Sequence, residues 1–464
     1  MIMVKKIALL LLSALTAACC VSSKSNTTPE GGKDDDKTAK VGEVLPAWSE
    51  GWLDIHAICT GRGECFFYIM PDGTTMMVDC GEIPSGISTS TTPAGDEITI
   101  KTVDPMPNSL AKAYETVGRY VKHFLPSGNS EIDYMLMTHY HNDHMGSIIK
   151  GYPQSSAGNY SLTGIPGLYS VVPFKKMIDR SYPDYTTYSP DIVKNYASFI
   201  EYATSSKGLQ VEKFEVGSKS QIALLGNASK YPSFQIRNLC GGGYVWNGAA
   251  AIDCYGSSTL NENGASCGFL LSYGKFDWLS AGDAGDTNSK VAYLMASQIG
   301  RKIDGMKAHH HLSWKSMAAR SMSILQPKLI VSENFWTHQP WPAEFDAMYG
   351  AYPGEKNIFF TNIAAEVAAA NPGMMSKVTG YNGHVVVRVA QGGDEYSVYL
   401  LDATDYKYKV KAILRPVQER IIASGSHKPQ TEASCHGSLR FPLLLCPPLN
   451  CPLYIKSFWK LYTS

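Results

Sequence analysis

The 464-residue sequence has no net charge to offer a partner: Lys plus Arg and Asp plus Glu each number 41. Without a global basic field, nucleic acid is not indicated as a partner by charge, and only a local basic groove would bind it. The eleven cysteines include no CxxC pair, which excludes a structural zinc site of the zinc-finger type. Cys59, Cys65 and Cys80 fall in strand-like runs and read as small core residues. In an oxidising compartment Cys240 with Cys254, or Cys446 with Cys451, are candidate pairs whose connectivity the sequence leaves open. No internal repeat is visible. The apolar run IALLLLSALTAA is too short for a permanent membrane span. What remains is a composition, 44% hydrophobic and 18% charged, that supports a sizeable globular core and argues against disorder.

That short apolar run follows Lys5 and Lys6 and ends in small residues, which reads as an export signal over residues 1–19. LTAAC resembles a bacterial lipobox with Cys19 as the lipidated residue, although Leu15 stands one place further from Cys19 than the usual pattern, so ordinary signal cleavage stays open. Residues 20–46 are polar and rich in small residues, as a flexible tether would be. The expected location is the cell envelope of a bacterium, with the membrane as partner through a lipid anchor. A single large domain fills 47–417, and the Pro-broken tail 418–464 has no clear periodicity.

Inside the domain, WLDIHAI, ECFFYIM and TMMVD read as strands, with PDGTT as a turn. Leu110, Tyr114, Val117, Val121 and Phe124 recur at helical spacing before the strand EIDYMLMT. A second helix opens with Ser189 as N-cap and Pro190 at N1. Strand-like runs follow at QVEKFEV, SQIALL, SFQIRNL, CGFLLSY and FDWLSA, then a helix at WKSMAARSMSIL, a strand at KLIVSEN and a closing hairpin, HVVVRVA with EYSVYLLD. Strands in two successive blocks separated by helices imply an α+β protein with two sheets and helices packed outside.

The stretch MLMTHYHNDHMG crowds His139, His141 and His144 with Asp143 at the end of a strand. Ligands there sit on a rigid scaffold yet face solvent. His139 and His141 can converge on one ion, and Asp143 and His144 can reach a second, the arrangement by which paired cations about 3.5–4 Å apart activate water. Imidazoles with a carboxylate favour zinc, while iron or manganese would accept the same set.

HYHNDH resembles the HxHxDH signature of the metallo-β-lactamase superfamily, which implies an αββα four-layer sandwich. TGRGECFFYIMPDGTTMMVDCG is similar to the branch typified by the metallohydrolase domain of the competence protein ComEC, and makes Asp79 a carboxylate that orients a ligand imidazole. By the same resemblance SAGDAG makes Asp283 the bridging carboxylate, with Asp286 a weaker candidate. MKAHHHLSWKS implies His310 as a metal ligand, and His311 as either a ligand or a donor to the developing oxyanion. His309 is an extra residue there, and Leu312 replaces a glycine. Asp143 and His311 are the expected catalytic residues. His338 in WTHQPW and Arg62 are candidate substrate contacts, and Lys175, Lys176, Arg180 and Lys307 are candidate phosphate contacts. His56, His123 and His384 read as structural.

One departure disfavours true β-lactamase activity: no histidine occurs between Met145 and Lys307, so the first ion would have His139, His141, Asp283 and water. The resemblance implies an exported hydrolase with two divalent ions and a hydroxide bound to them, acting on a phosphodiester or another small-molecule substrate. A lactonase or amidase of the same fold and a metal-free binding lipoprotein are the alternatives. The Tyr- and Gly-rich insertion around residues 152–190 is expected to wall the cleft.

Overall fold

Alternation with a period of two decides the architecture. In the strand Phe66–Ile69, Phe66 and Tyr68 enter one hydrophobic core while Phe67 and Ile69 enter another. A sheet whose two faces are both apolar needs cover on both sides. The computed structural model, which describes residues 39–415 apart from 93, 187, 189 and 286–289, shows how that cover is supplied. The signal segment, Cys19, most of the linker, Ser189, Asp286, Cys446, Cys451 and the tail from 418 lie outside the described residues.

The described strands include two nine-stranded sheets. In spatial order the first runs Val410–Leu414, Tyr396–Leu401, His384–Val389, Leu53–Ala57, Phe66–Ile69, Thr75–Val78, Ile132–Leu136, Phe174–Asp179 and Gln210–Lys213. The second runs Ala251–Asp253, Tyr244–Trp246, Phe234–Gly241, Gly268–Tyr273, Phe276–Ser280, Gly305–Lys307, Leu329–Ser332, Asn357–Phe360 and Gly380–Tyr381. Each sheet is antiparallel in one part and parallel in the other.

The central core draws on both sheets, with Ile55, Tyr68, Val78 and Leu136 from the first and Phe269, Leu271, Trp278 and Val331 from the second. On the outer face of the first sheet lie the helices Ala113–Phe124, Gly164–Val171 and Asp191–Lys207. On that of the second lie Val291–Ile299, Ala319–Leu325 and Pro342–Gly350. The result is the expected α+β four-layer sandwich. Among the described residues no helix is long and apolar enough to cross a membrane.

Several local expectations need correction. The run SQIALL is not a strand: Ile222 enters the central core from irregular backbone, so burial without sheet pairing produced its pattern. The helix expected from Leu110 begins at Ala113 and leaves Leu110 90% exposed. Pro190 takes the N-cap position, one residue earlier than expected, and the helix starts at Asp191. Of WKSMAARSMSIL only Ala319–Leu325 is helical. A polar hairpin, Ile87–Thr91 with Glu97–Lys101, went unforeseen. Cys240 and Cys254 are unpaired thiols. His384 and His56 have the structural roles expected: the Cys59 amide donates to His384 Nδ1 at 3.0 Å, and His56 Nδ1 lies 2.9 Å from the Tyr120 hydroxyl.

Candidate metal centre

The parallel strands of both sheets end at one place, and chemically active residues follow each end. Asp79 follows Thr75–Val78, His139 follows Ile132–Leu136, and Asp283 follows Phe276–Ser280. His310 and His311 follow Gly305–Lys307, and Glu333 follows Leu329–Ser332. Carboxyl ends of parallel strands are the usual crevice for ligands in such sheets.

The loop carrying Asp143 and His144 is clamped by backbone. Glu64, Cys80 and Glu82 amides donate to the carbonyls of Asp143, His144 and Asn142 at 2.8, 2.9 and 3.0 Å. The approach is close enough that a β-carbon on Gly81 would sit 1.7 Å from the Asp143 carbonyl oxygen. Only glycine fits there.

Asp79 has φ of 59° and accepts from the Thr138 amide and hydroxyl, each at 2.7 Å. Its Oδ2 is 2.8 Å from His144 Nδ1. This contact fixes the orientation of the His144 ring. His311 Nδ1 lies 2.9 Å from the Glu333 carbonyl oxygen, which can only accept, so Nδ1 carries the proton. With both Nδ1 positions donating, the Nε2 atoms of neutral His144 and His311 present lone pairs, and they face each other at 3.2 Å. Asp283 Oδ1 completes the triangle, 3.2 Å from His144 Nε2 and 3.3 Å from His311 Nε2.

Three acceptors so close repel one another unless positive charge sits among them. Their spacing matches the edge of a tetrahedron with zinc–ligand bonds of about 2.0–2.1 Å, which is roughly 3.3 Å. The residues therefore fit a divalent cation. Titration points the same way: burial disfavours a charged His144, yet Asp283, Glu64, Asp79 and Asp143 hold its pKa well above the ordinary imidazole value. His311 is raised against the same burial by Asp283 and Asp143.

A second group adjoins the first. His139 Nε2 and His141 Nδ1 are 3.1 Å apart, and His139 Nε2 is 3.8 Å from Asp283 Oδ2. His139, His141 and Asp283 each offer an atom within 4.8 Å of the others, and so do Glu64, His144, Asp283 and His311. Asp283 thus belongs to both groups, as a bridging carboxylate would.

The remaining expected residues fall less uniformly. Asp143 stands at the rim of the first group, its Oδ2 3.6 Å from His311 Nε2. His310 Nε2 lies on the other side, 3.8 Å from Asp283 Oδ2, with 30% of its side chain exposed. His338 stacks 5.4 Å from Trp314, and burial followed by the charges of His310 and His311 lowers its pKa to about 4. It lines a groove with Ile100, Trp341 and Val367 beside the cluster.

Arg62 is a correction: its guanidinium is buried and donates to the Gly61 and Val103 carbonyls and the Ser85 hydroxyl, so it braces the 61–63 turn. Lys175 pairs with Asp133, Lys176 with Glu212 and Arg180 with Glu262. Lys307 is fully buried under Asp283, 2.5 Å from Glu64 Oε2, 3.5 Å from Asp283 Oδ1 and donating to the Gly282 carbonyl at 2.6 Å. Burial pushes the Glu64 carboxyl up while surrounding carboxylates hold Lys307 charged. At this contact distance, with Lys307 anchored on Gly282 as well, the pair is ionised.

Glu64 is the residue that sequence reasoning missed. The signal was present in Gly61-Arg62-Gly63-Glu64, a carboxylate directly after a glycine-rich turn. His310, His311 and Leu312 are consecutive residues with φ of 47°, 54° and 55°. Left-handed backbone costs roughly 1–2 kcal/mol at each such residue, and strain of this kind gathers at functional sites.

The fold and the cluster together define an α+β sandwich with a buried His/Asp/Glu cluster that could hold a metal ion. In sequence the chain matches no family model and no curated protein. Solved structures similar to it include a CmlA beta-hydroxylase variant, 12% identical over 73% of this chain with a TM-score of 0.32. The chain spans about half of that protein, 54%. Zn(2+)-bound PqqB from Methylobacterium extorquens is 8% identical, with 60% of this chain and 88% of PqqB covered and a TM-score of 0.31. A metal-dependent hydrolase of the beta-lactamase superfamily, Tm1679, is 10% identical, with 66% and 95% covered and a TM-score of 0.32. Likeness at this level carries no argument about chemistry, which rests on this chain's own residues.

Proposed function

We propose that this chain is a hydrolase that works with two divalent cations, zinc in the first instance, held by His139, His141, His144, Asp283 and the His310–His311 pair. The observation that carries the reading is the triangle of His144 Nε2, His311 Nε2 and Asp283 Oδ1, with edges of 3.2 to 3.3 Å. Paired cations in such a site supply water of lowered pKa and Lewis-acid stabilisation of developing negative charge. The protein's own part is orientation. Asp79 fixes the His144 ring, the Glu333 carbonyl fixes His311, and Lys307 holds the shared carboxylate from beneath. Asp143, whose side chain is 20% exposed, places Oδ2 3.6 Å from His311 Nε2, and against the effect of burial His144 and His311 hold its carboxyl well below the usual carboxylate range.

The resemblance of the histidine and Asp-Cys-Gly stretches supports a phosphodiester as substrate, and the export and lipid-anchor features of the N-terminus support a place in the cell envelope. A lactone or amide substrate is the second reading. It is favoured by the pairing of Arg62, Lys175, Lys176, Arg180 and Lys307 with protein acceptors, which leaves none of these five side chains committed to a phosphate.

Purified protein loaded with zinc should hydrolyse bis(p-nitrophenyl) phosphate, and His144→Ala should lose that activity together with metal. Turnover of lactones with none of the phosphodiester would replace the substrate class. Absence of hydrolysis and of bound metal would leave the binding-lipoprotein reading instead.

A further inference from the structure

The stretch from Met145 to Lys307 contains no histidine, and the imidazoles around Asp283 come from positions 139–144 and 310–311. On one side of Asp283, Oδ2 is buried and accepts no hydrogen bond. Two imidazole nitrogens flank it equally, His139 Nε2 and His310 Nε2, each 3.8 Å away. His311 turns to the opposite oxygen, with Nε2 3.3 Å from Oδ1. Neighbouring side chains separate in this way because His310 and His311 both have left-handed backbone. The Asn263 amide group contacts His310 Nε2 at 3.4 Å, a long hydrogen bond that a cation would readily displace.

We infer that the adjacent histidines divide the metal centre between them. His311 serves the ion on the Oδ1 side with His144. His310 serves the ion on the Oδ2 side with His139 and His141, supplying the imidazole that the preceding 160-odd residues do not contain. The inference rests on the two-cation reading above and extends it: the sequence alternatives for His310 and His311 resolve as one ligand for each ion. The 3.8 Å separations exceed the edges of the Oδ1 triangle by about half an ångström.

The test counts metal in the whole protein, purified without chelator and titrated with Zn2+ or Co2+. Wild type should bind two ions. His310→Ala should weaken one of them by at least about tenfold, within or above the range found for residues that merely support a ligand, and should alter the visible Co2+ spectrum. A double variant with His141→Ala should keep one ion, as His141→Ala alone does, whereas His310→Ala with His311→Ala should keep none. His310→Gln, closer to histidine in size, repeats the measurement if the alanine variant misfolds by circular dichroism. Unchanged stoichiometry, affinity and spectrum in the His310 variants would overturn the division, as would retention of an ion by the 310/311 double variant. A wild-type chain that binds no metal would overturn the underlying reading together with it.

Discussion

The two oxygens of Asp283 look onto different surroundings. Around Oδ1, His144 and His311 are fully buried, each ring is locked by a partner on its Nδ1, and Lys307 approaches from below. Around Oδ2, His310 is 30% exposed and His141 half-buried. The other nitrogen of His139 meets only the hydroxyls of Thr138 and Ser266, at 3.1 and 3.3 Å, and these can donate or accept. One side is assembled before any ion arrives, while the other sets two partly exposed rings, His141 and His310, near a buried oxygen. Preorganisation of this kind favours affinity, and partial exposure favours exchange of ligands at the ion. The Oδ1 side is therefore the expected tight site and the Oδ2 side the one that meets substrate.

The largest effect should come from breaking the locked side at its base. Lys307→Met would leave Glu64 and Asp283 buried without their cation and destabilise the metal-free protein by about 3–5 kcal/mol, whereas combining it with Glu64→Gln should restore much of the loss. Denaturant unfolding of the single and double variants measures both. A single variant as stable as wild type would mean that Lys307 holds nothing in place.

Next in size, Asp79→Asn should lower affinity for the Oδ1-side ion by about 10–100-fold, the usual cost of removing a carboxylate that orients a ligand imidazole. Ser266→Ala, on the Oδ2 side, should change metal affinity far less. Equal effects in a calorimetric titration would erase the contrast between the two sides.

The smallest effect concerns a histidine away from both. Burial, then the charge of His56, holds His384 at about 3 against the ordinary imidazole value of about 6.5, while Asp402 acts the other way. Between those values the unfolded chain binds a proton that the folded chain does not. Stability from this group is therefore full above about pH 6.5 and is lost as pH falls toward 3, by about 1 kcal/mol at pH 6. His384→Asn, which keeps an acceptor for the Cys59 amide, should flatten the melting temperature between pH 7.5 and 6. An unchanged slope would assign the pH dependence to other groups.

Much of the fold was legible because buried strands impose their pattern on the sequence, as FFYI and HVVVRV do. The hairpin Ile87–Thr91 with Glu97–Lys101 was not, since its side chains are mostly exposed and carry no apolar alternation. The SQIALL run misled for the opposite reason: Ile222 is apolar because it fills the core, without sheet pairing.

At the site, the contiguous HYHNDH stretch could be read directly, and the resemblance of their stretches suggested Asp79 and Asp283. Glu64 escaped because its importance lies in Lys307, 243 positions away and visible only once the sheets close. Arg62 was misjudged since no local pattern tells a guanidinium facing a cleft from one saturated by carbonyls. The division between His310 and His311 depends on two backbone torsions that their sequence does not announce.

The central claim is that Asp283 joins two cations. Anomalous diffraction at the zinc edge from crystals of the zinc-loaded protein tests it most directly. The account predicts two peaks, one flanked by His144, His311 and Oδ1, the other by His139, His141, His310 and Oδ2. A single peak, or peaks remote from Asp283, would contradict it.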